Sequence, residues 1–499
     1  MSDRQLGVVA AGHPVSAATG ADALRDGGNA VDAALAAMFA SFACEPLLTG
    51  LGAGGYMLVV APGRAATLLD FFVEAPGRGA DPSGRAPLIP IAVSFGDALQ
   101  EFNIGAASVG CYGMAAGVCE AARRFARLGL ERLTAPGATL AREGVPLNAQ
   151  QAYIVEILEG IVTSTPECAA LFAPGGTLLR AGDKLRQPEL ADSLLRLGTE
   201  GSGPFYDGDI AAAISAWVTG RGGMLTGADL RAYRVVDREP IRVSYRGREV
   251  LTNPPPSAGG ILIVRALAML GAAPGPPTLE ELVRVMEMTQ RERTPEFLEG
   301  LSDPEFVRGF LNASGGRLGS TTHIAVLDCD GWACSVTCSN GSASGVVVPG
   351  TGVHLNNMLG EQDLNPLGFH RHPPGRRMPS MMSPTVVLRD GEAELVVGSA
   401  GSNRIRSAVL QTIIRTIDDG MQAADAIDAP RVHWEDDIVY AEPGVDTAGL
   451  EAEGRTVARF RERNLFFGGA QAAARAPDGR YSGGGDPRRG GASIVVAAA

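Results

Sequence analysis

The sequence predicts an α+β fold in which β-hairpins, buried on both faces, lie between layers of helix. Two pairs of apolar runs carry the sheet part of that expectation. Ile324 to Leu327 and Ala333 to Thr337 are joined by the tight-turn pair Asp330-Gly331, while Pro384 to Arg389 and Glu394 to Gly398 flank Asp390-Gly391. Neither pair alternates apolar with polar residues, so both faces of each should meet protein rather than water. The helical part rests on spacing. Asn29 to Phe42 is alanine-rich with Val31, Leu35, Met38 and Phe42 on one face, and Thr278 to Arg291 carries Leu279, Leu282, Val285 and Met286 as an apolar stripe. No low-complexity linker divides the 499 residues, which favours one large unit over independent domains.

Taken in order, the chain opens with a short apolar piece, Gly7 to Ala11, ending at His13-Pro14. Ser16 stands where a helix cap is expected, and Ala17, Ala18, Ala21 and Leu24 repeat at helical spacing until Gly27-Gly28. The turn Gly50 to Gly55 lacks the lysine and hydroxyl of a phosphate-binding loop and the spacing of a dinucleotide fingerprint, so it reads as a core turn. Tyr56 to Val60 and Ala66 to Phe72 form a hairpin across Pro62-Gly63-Arg64. Helical pattern follows through Ala115 to Arg127, Pro136 to Glu143, Gln150 to Ile161, Gly208 to Thr219, Thr226 to Tyr233 and Ile261 to Leu270, with glycine or proline breaks. Ile241 to Tyr245 and Glu249 to Thr252 read as strands about Arg246-Gly247. From Leu301 to Ser320 the composition turns to Gly, Ser, Asp and Asn, as in an exposed segment. Arg406 to Thr416 and Ala423 to Ala429 are helical, and the terminal A-S-I-V-V is an expected edge strand.

Composition excludes several classes of function. With 43 basic and 55 acidic side chains the formal net charge is −12, and no basic run favours nucleic acid or an anionic membrane surface. The N-terminal residues lack the pattern of a secretory signal and no apolar run reaches membrane-spanning length, so a cytoplasmic location is expected. Seven cysteines scattered in apolar surroundings read as reduced core residues. His370-x-His372 has no carboxylate or cysteine cluster to complete a metal site, and neither metal nor cofactor is expected.

The chemistry centres on Thr321 and Thr322 at the mouth of the first hairpin. A threonine becomes a nucleophile when it begins a chain, because its own α-amine can then take the Oγ proton. Thr321 is internal, so the chain would have to cut itself at Ser320-Thr321. The run T-T-H-I-A-V-L-D-C-D-G-W-A-C-S-V-T resembles the start of the small subunit of γ-glutamyltranspeptidases, in which the first threonine is both processing site and nucleophile. The likeness extends through L-N-N-M, S-M-M-S-P-T and G-S-A-G-S-N-R-I, and before Thr321 through G-H-P-V-S-A, G-G-N-A-V-D-A-A, E-P-L-L-T-G-L-G-A-G-G-Y-M-L and N-P-P-P-S-A-G-G. The resemblance implies a four-layer αββα sandwich of the N-terminal nucleophile hydrolase type. It also implies a large subunit, 1–320, and a small subunit, 321–499, that remain one structural unit and could assemble further.

Residue by residue, the resemblance implies Thr321 as nucleophile and Ser339 at a position where relatives have a threonine in contact with it. Gly401 and Ser402 align with two glycines whose N–H groups form an oxyanion hole, and backbone donors survive a side chain there if the dihedrals stay allowed. Asn340, Glu361 and Ser380 align with groups that hold the donor's α-amino and carboxylate ends, with Glu361 in place of aspartate and Met381 in place of a second serine. Asn340 is aligned by assuming a local deletion. Phe72 stands where relatives place the arginine that grips the donor's α-carboxylate. Arg376, Arg377 and Arg404 are the nearby alternatives in sequence. His323 either orients the nucleophile or is a hydrogen-bonded core histidine.

The expected function is a self-processing γ-glutamyltransferase or glutathione hydrolase-like amidohydrolase that forms an acyl-enzyme on Thr321 and passes the acyl group to water or an amine. Its donor pocket is altered at Phe72. The alternatives are a threonine-dependent acylase acting on a non-γ-glutamyl amide in specialised metabolism, and a non-catalytic binding relative. Purified protein should run as two fragments on a denaturing gel, the smaller beginning at Thr321, and co-migrate under native conditions. Thr321→Ala should stay full length. A wild-type chain still intact after prolonged incubation would remove the mechanism, since an internal threonine has no free α-amine.

Overall fold

Successive side chains of a strand point to opposite faces, so a strand apolar throughout must be covered twice. In the strand Thr322–Asp328, Ile324 and Val326 pack into a cluster shared with helices, while Ala325 and Leu327 pack into a second cluster between two sheets. The strand Gly54–Val60 divides likewise: Met57 and Val59 face the helices, and Tyr56, Leu58 and Val60 face the opposing sheet. In the second sheet, Val386, Leu388 and Val396 face inward, whereas Val387, Leu395 and Val397 meet a further helical layer. Three stacked apolar layers therefore separate helix, sheet, sheet and helix. The αββα sandwich is the observed architecture.

The computed structural model describes residues 4–94, 99–292, 301, 321–365 and 368–498. Ser320 and the stretch expected to be exposed before it lie outside the described residues, apart from Leu301, which is buried. The first sheet has seven antiparallel strands in the order Ala492–Ala497, Gln5–Ala11, Thr322–Asp328, Ala333–Ser339, Gly54–Val60, Thr67–Phe71 and Val236–Arg238. The second has six, Tyr481–Gly485, Gly469–Arg475, Glu392–Ala400, Thr385–Arg389, Arg248–Thr252 and Ile241–Tyr245. Helices Pro14–Arg25 and Ala30–Cys44 cover the first sheet, and Ala258–Gly271, Leu279–Arg291 and Arg404–Ile417 cover the second. Strands from before and after Thr321 interleave in the first sheet, and in the second Arg248–Thr252 from before it pairs with Thr385–Arg389 from after it.

Several local expectations are corrected. The first helix is capped by His13, whose Nδ1 accepts from the Val15 N–H at 3.2 Å, not by Ser16, because Pro14 supplies the fixed φ of a first helical residue. Ser16 is instead buried inside that helix. Cys329 is exposed at the hairpin tip, whereas Cys44, Cys111, Cys168, Cys334 and Cys338 are buried and Cys119 half-buried; all are free thiols. The hairpin Ile89–Ser94 with Leu99–Ile104 and the small sheet Val432–Glu435, Ile438–Ala441 and Thr456–Arg459 carry too little periodicity to be expected. The turn Gly50 to Gly55 does pack in the core: a Cβ at Gly52 would lie 2.3 Å from the His354 carbonyl oxygen and one at Gly54 2.8 Å from the Val73 nitrogen.

Gly398 shows how tightly the two sheets meet, since a Cβ there would lie 2.3 Å from Cε1 of His323 in the facing strand. Gly398→Ala should lower the midpoint of denaturant unfolding by an amount equivalent to about 1–3 kcal/mol, the usual cost of overpacking a filled core. An unchanged midpoint would mean that the sheets have room to part.

Candidate active site

Thr321 immediately precedes the third strand of the first sheet and is 2 % exposed. Strand alternation puts its side chain on the inter-sheet face with His323, Ala325 and Leu327. There it meets a small cavity, about 20 Å³, at the end of the layer between the sheets. Seven of the residues expected at the site line this cavity: Phe72, Thr321, Ser339, Glu361, Ser380, Met381 and Ser402. They come from six separate parts of the chain, which only the fold brings together. Sequence reasoning missed Gly341, Met358, Leu364, Met382 and Ile405 on the same wall. Met358, Met382 and Ile405 lie inside the motifs quoted above, so the signal was present but carried no role.

Two expected residues do not line the cavity. Asn340 is wholly buried one residue from Ser339, its backbone N–H donating to the Leu48 carbonyl at 3.0 Å, and its neighbour Gly341 takes the place on the wall. Gly401 precedes Ser402 in the turn that leads into the helix Arg404–Ile417. Gly401 has φ +107° and Ser402 φ +69°, so the side chain tolerated at 402 sits in the left-handed region. The positive end of a fourteen-residue helix begins at this turn, which favours a developing negative charge beside it.

The wall opposite is uncharged. Phe72 is fully buried and stacked on Tyr56, with ring centroids 5.4 Å apart and planes inclined by 25°. Arg377, one of the arginines offered in sequence, lies behind the Phe72 backbone: it donates to the Phe72 carbonyl, to the Tyr233 hydroxyl at 2.5 Å and to the Arg234 carbonyl at 2.7 Å, and it pairs with Asp70 at 3.4 Å and Glu74 at 3.6 Å. Arg404 donates from Nε to the Phe466 carbonyl at 2.9 Å and lies over that ring. Among the described residues no arginine or lysine lines the cavity. Its one ionisable acid is Glu361, whose Oε1 accepts from the Ser342 N–H at 3.0 Å and hydroxyl at 3.1 Å, and whose carboxyl is raised by burial against those stabilising bonds.

His323 is a core residue. Its Nδ1 lies 2.8 Å from Thr337 Oγ1, and burial pushes the ring down to about 3, leaving it neutral and a poor base near pH 7. On the helix side, Thr322 donates from Oγ1 to Glu45 Oε1 at 3.1 Å, a buried partner 277 residues away that no local pattern indicates.

The γ-glutamyltranspeptidase family model matches residues 16–496. The chain belongs to the γ-glutamyltranspeptidase family. It is therefore an enzyme of the N-terminal nucleophile hydrolase class. The acylase ACY 1 proenzyme of Pseudomonas sp. (strain SE83) is 30% identical, the match covering 98% of this chain and 93% of the relative. The glutathione hydrolase proenzyme of Escherichia coli (strain K12) is 32% identical over 97% of this chain and 90% of its own. The crystal structure of cephalosporin acylase from Bacillus halodurans superposes with a TM-score of 0.82 at 27% identity, covering 98% of this chain and 96% of that one. The relatives thus include both glutathione hydrolases and acylases.

Burial raises the Glu45 carboxyl from 4.5 to about 7, against the Thr322 hydrogen bond and the Arg489 charge. A carboxyl that holds its proton more tightly when folded favours the folded state below its unfolded value, and that advantage is lost as pH rises to the folded value. The loss should amount to roughly 3 kcal/mol between about pH 4.5 and 7, at about 1.4 kcal/mol per unit. Glu45→Gln should remove it, so that the stability difference between variant and wild type grows in the variant's favour across that window. A difference constant with pH would mean that Glu45 is already ionised.

Proposed function

We propose that this chain is a self-processing threonine amidohydrolase whose donor is an acyl amide with an apolar or uncharged head, closer in use to the acylase relatives than to a γ-glutamyl transferase. The observation that carries the proposal is the uncharged wall: Phe72 stacked on Tyr56 where a carboxylate would need a cation, with Arg377 engaged behind it. A carboxylate placed against that wall would lose its water without gaining a donor, at a cost of several kcal/mol. An apolar head meets Phe72, Met358, Leu364, Met381, Met382 and Ile405 instead. The names of two relatives, both acylases, support an acyl compound as the donor.

Cleavage before Thr321 would give it a free α-amine, with an unperturbed pKa of about 7.7–8.0, able to act as a base near neutrality. As Thr321 Oγ attacks the amide carbon, the amine takes the Oγ proton, and the carbonyl oxygen becomes an anion beside the Gly401-Ser402 turn. Collapse breaks the C–N bond, and the leaving amine takes the proton from the Thr321 ammonium. Water then attacks the ester carbon, gives a proton to the same amine, and the proton returns to Oγ as the carboxylic acid departs. An amine acceptor in place of water gives transfer. Ser339 and Ser380 line the cavity, their hydroxyls accepting from the Gly341 and Met382 N–H groups at 2.7 and 3.0 Å, and Glu361 offers an acceptor for an amide of the donor.

The test compares two anilides that release the same chromophore. An apolar acyl p-nitroanilide should be turned over with kcat/KM at least about tenfold above γ-glutamyl-p-nitroanilide, and Phe72→Arg should shift the ratio toward the γ-glutamyl donor, as a charge-assisted pair worth about 1.5–3 kcal/mol would do. Efficient γ-glutamyl turnover by the wild type, unaffected by Phe72→Arg, would show that the head group binds elsewhere.

A further inference from the structure

Ser402 is held in a conformation that side-chain-bearing residues avoid, with φ +69° directly after Gly401 at +107°. Such strain persists only where the surroundings over-determine it. The next residue supplies the constraint. Asn403 is fully buried and donates from Nδ2 to Glu435 Oε1 at 2.7 Å, across 32 residues of chain. Glu435 ends the strand Val432–Glu435, which is paired with Ile438–Ala441. Its other oxygen lies 3.4 Å from His433 Nε2, and His433 Nδ1 lies 2.8 Å from Ser407 Oγ, in the helix that follows the turn. The tautomer with the proton on Nε2 satisfies both contacts, donating to Glu435 and accepting from Ser407. The chain of contacts thus leaves the turn through Asn403, crosses to the small sheet, and returns to the same helix at Ser407.

We infer that Asn403 and Glu435 are positioning residues that hold the Gly401-Ser402 turn in the geometry needed to bind an oxyanion. This rests on the reading of that turn as the oxyanion donor. Neither residue lines the cavity, so neither touches the substrate; they act through the turn. Burial alone would raise the Glu435 carboxyl, but the His433 and Asn403 hydrogen bonds and the Arg404 charge bring it down to about 2, so Asn403 donates to a carboxylate. Bonds of that kind are about twice as strong as neutral ones. Arg404, bound to the Phe466 carbonyl, fixes the other side of the helix start. Release of Asn403 would let Ser402 relax toward an ordinary conformation and turn its N–H away from the developing charge.

The test uses the processed wild-type protein, Asn403→Asp, Glu435→Leu and Glu435→Gln, with an apolar acyl p-nitroanilide and a boronic acid carrying the same acyl chain, which forms a tetrahedral adduct with a nucleophilic hydroxyl. Asn403→Asp sets carboxylate against carboxylate, and Glu435→Leu removes the acceptor at similar volume. Both should lower kcat at least about tenfold with KM within about twofold, and weaken the boronic acid by the same factor as kcat/KM, since loss of one oxyanion donor costs about 100- to 1,000-fold and misplacement less. Glu435→Gln keeps a carbonyl for Asn403 and should stay within about threefold of wild type. A fall in Glu435→Gln as large as in Glu435→Leu, or a kcat unchanged in a folded Asn403→Asp, would overturn the inference. Should Glu435→Leu fail to fold, the Asn403→Asp and Glu435→Gln pair decides alone. Failure of the wild type itself to bind the boronic acid more tightly than the carboxylate product would instead remove the oxyanion reading, and with it this inference.

Discussion

The constraint on which the rest depends is the placement of the strand Thr322–Asp328 third in a seven-stranded sheet, paired to Gln5–Ala11 on one side and Ala333–Ser339 on the other. A strand so placed satisfies its backbone groups on both edges and buries both faces, so the residue before it has little freedom. Thr321 is thereby fixed at the end of the inter-sheet layer. Because strands from before and after it pair with one another three times in the first sheet and once in the second, scission at Thr321 would leave two chains that cannot separate without breaking both ladders. The sandwich is what allows the chain to be cut and the site to survive.

The same layer decides what the site can accept. Inter-sheet space is filled by apolar side chains, and a charge is tolerated there only beside a partner. Glu361 has its partner in Ser342, and the Arg377 guanidinium has its own in Asp70, Glu74 and three oxygens behind Phe72. A cation that serves the fold in this way is not available to a substrate. With Phe72 on the cavity wall and Arg377 turned to the fold, the donor proposed above carries no charge at its head.

Much of this was legible in the sequence where the signal is local. The two hairpins were apparent from apolar runs closed by Asp-Gly, and their burial on both faces from the missing alternation. The site residues were placed by motifs, and Thr321, Ser339, Glu361, Ser380, Met381, Ser402 and Phe72 share one cavity. What was not legible depends on distance in the chain. Glu45 is a single acid at the end of an apolar helix until the fold brings it to Thr322, and Asn403 is one letter of a motif until Glu435 reaches it. Asn340 lies just off the wall because the short loop after Ser339 presents Gly341 there. Ser16 was favoured as a cap for its side chain, but Pro14 starts the helix two residues earlier. Arg377 could not be distinguished from a substrate-binding arginine without its buried partners.

The most direct measurement is the intact mass of the processed protein after rapid mixing with an apolar acyl p-nitroanilide and acid quenching, followed by peptide mapping. The account predicts that the fragment beginning at Thr321 gains the acyl group in place of one hydrogen, that the gain maps to Thr321, and that it decays as product appears. Turnover with the acyl group on another residue, or with no covalent adduct under conditions where the chromophore is released in a burst, would contradict it.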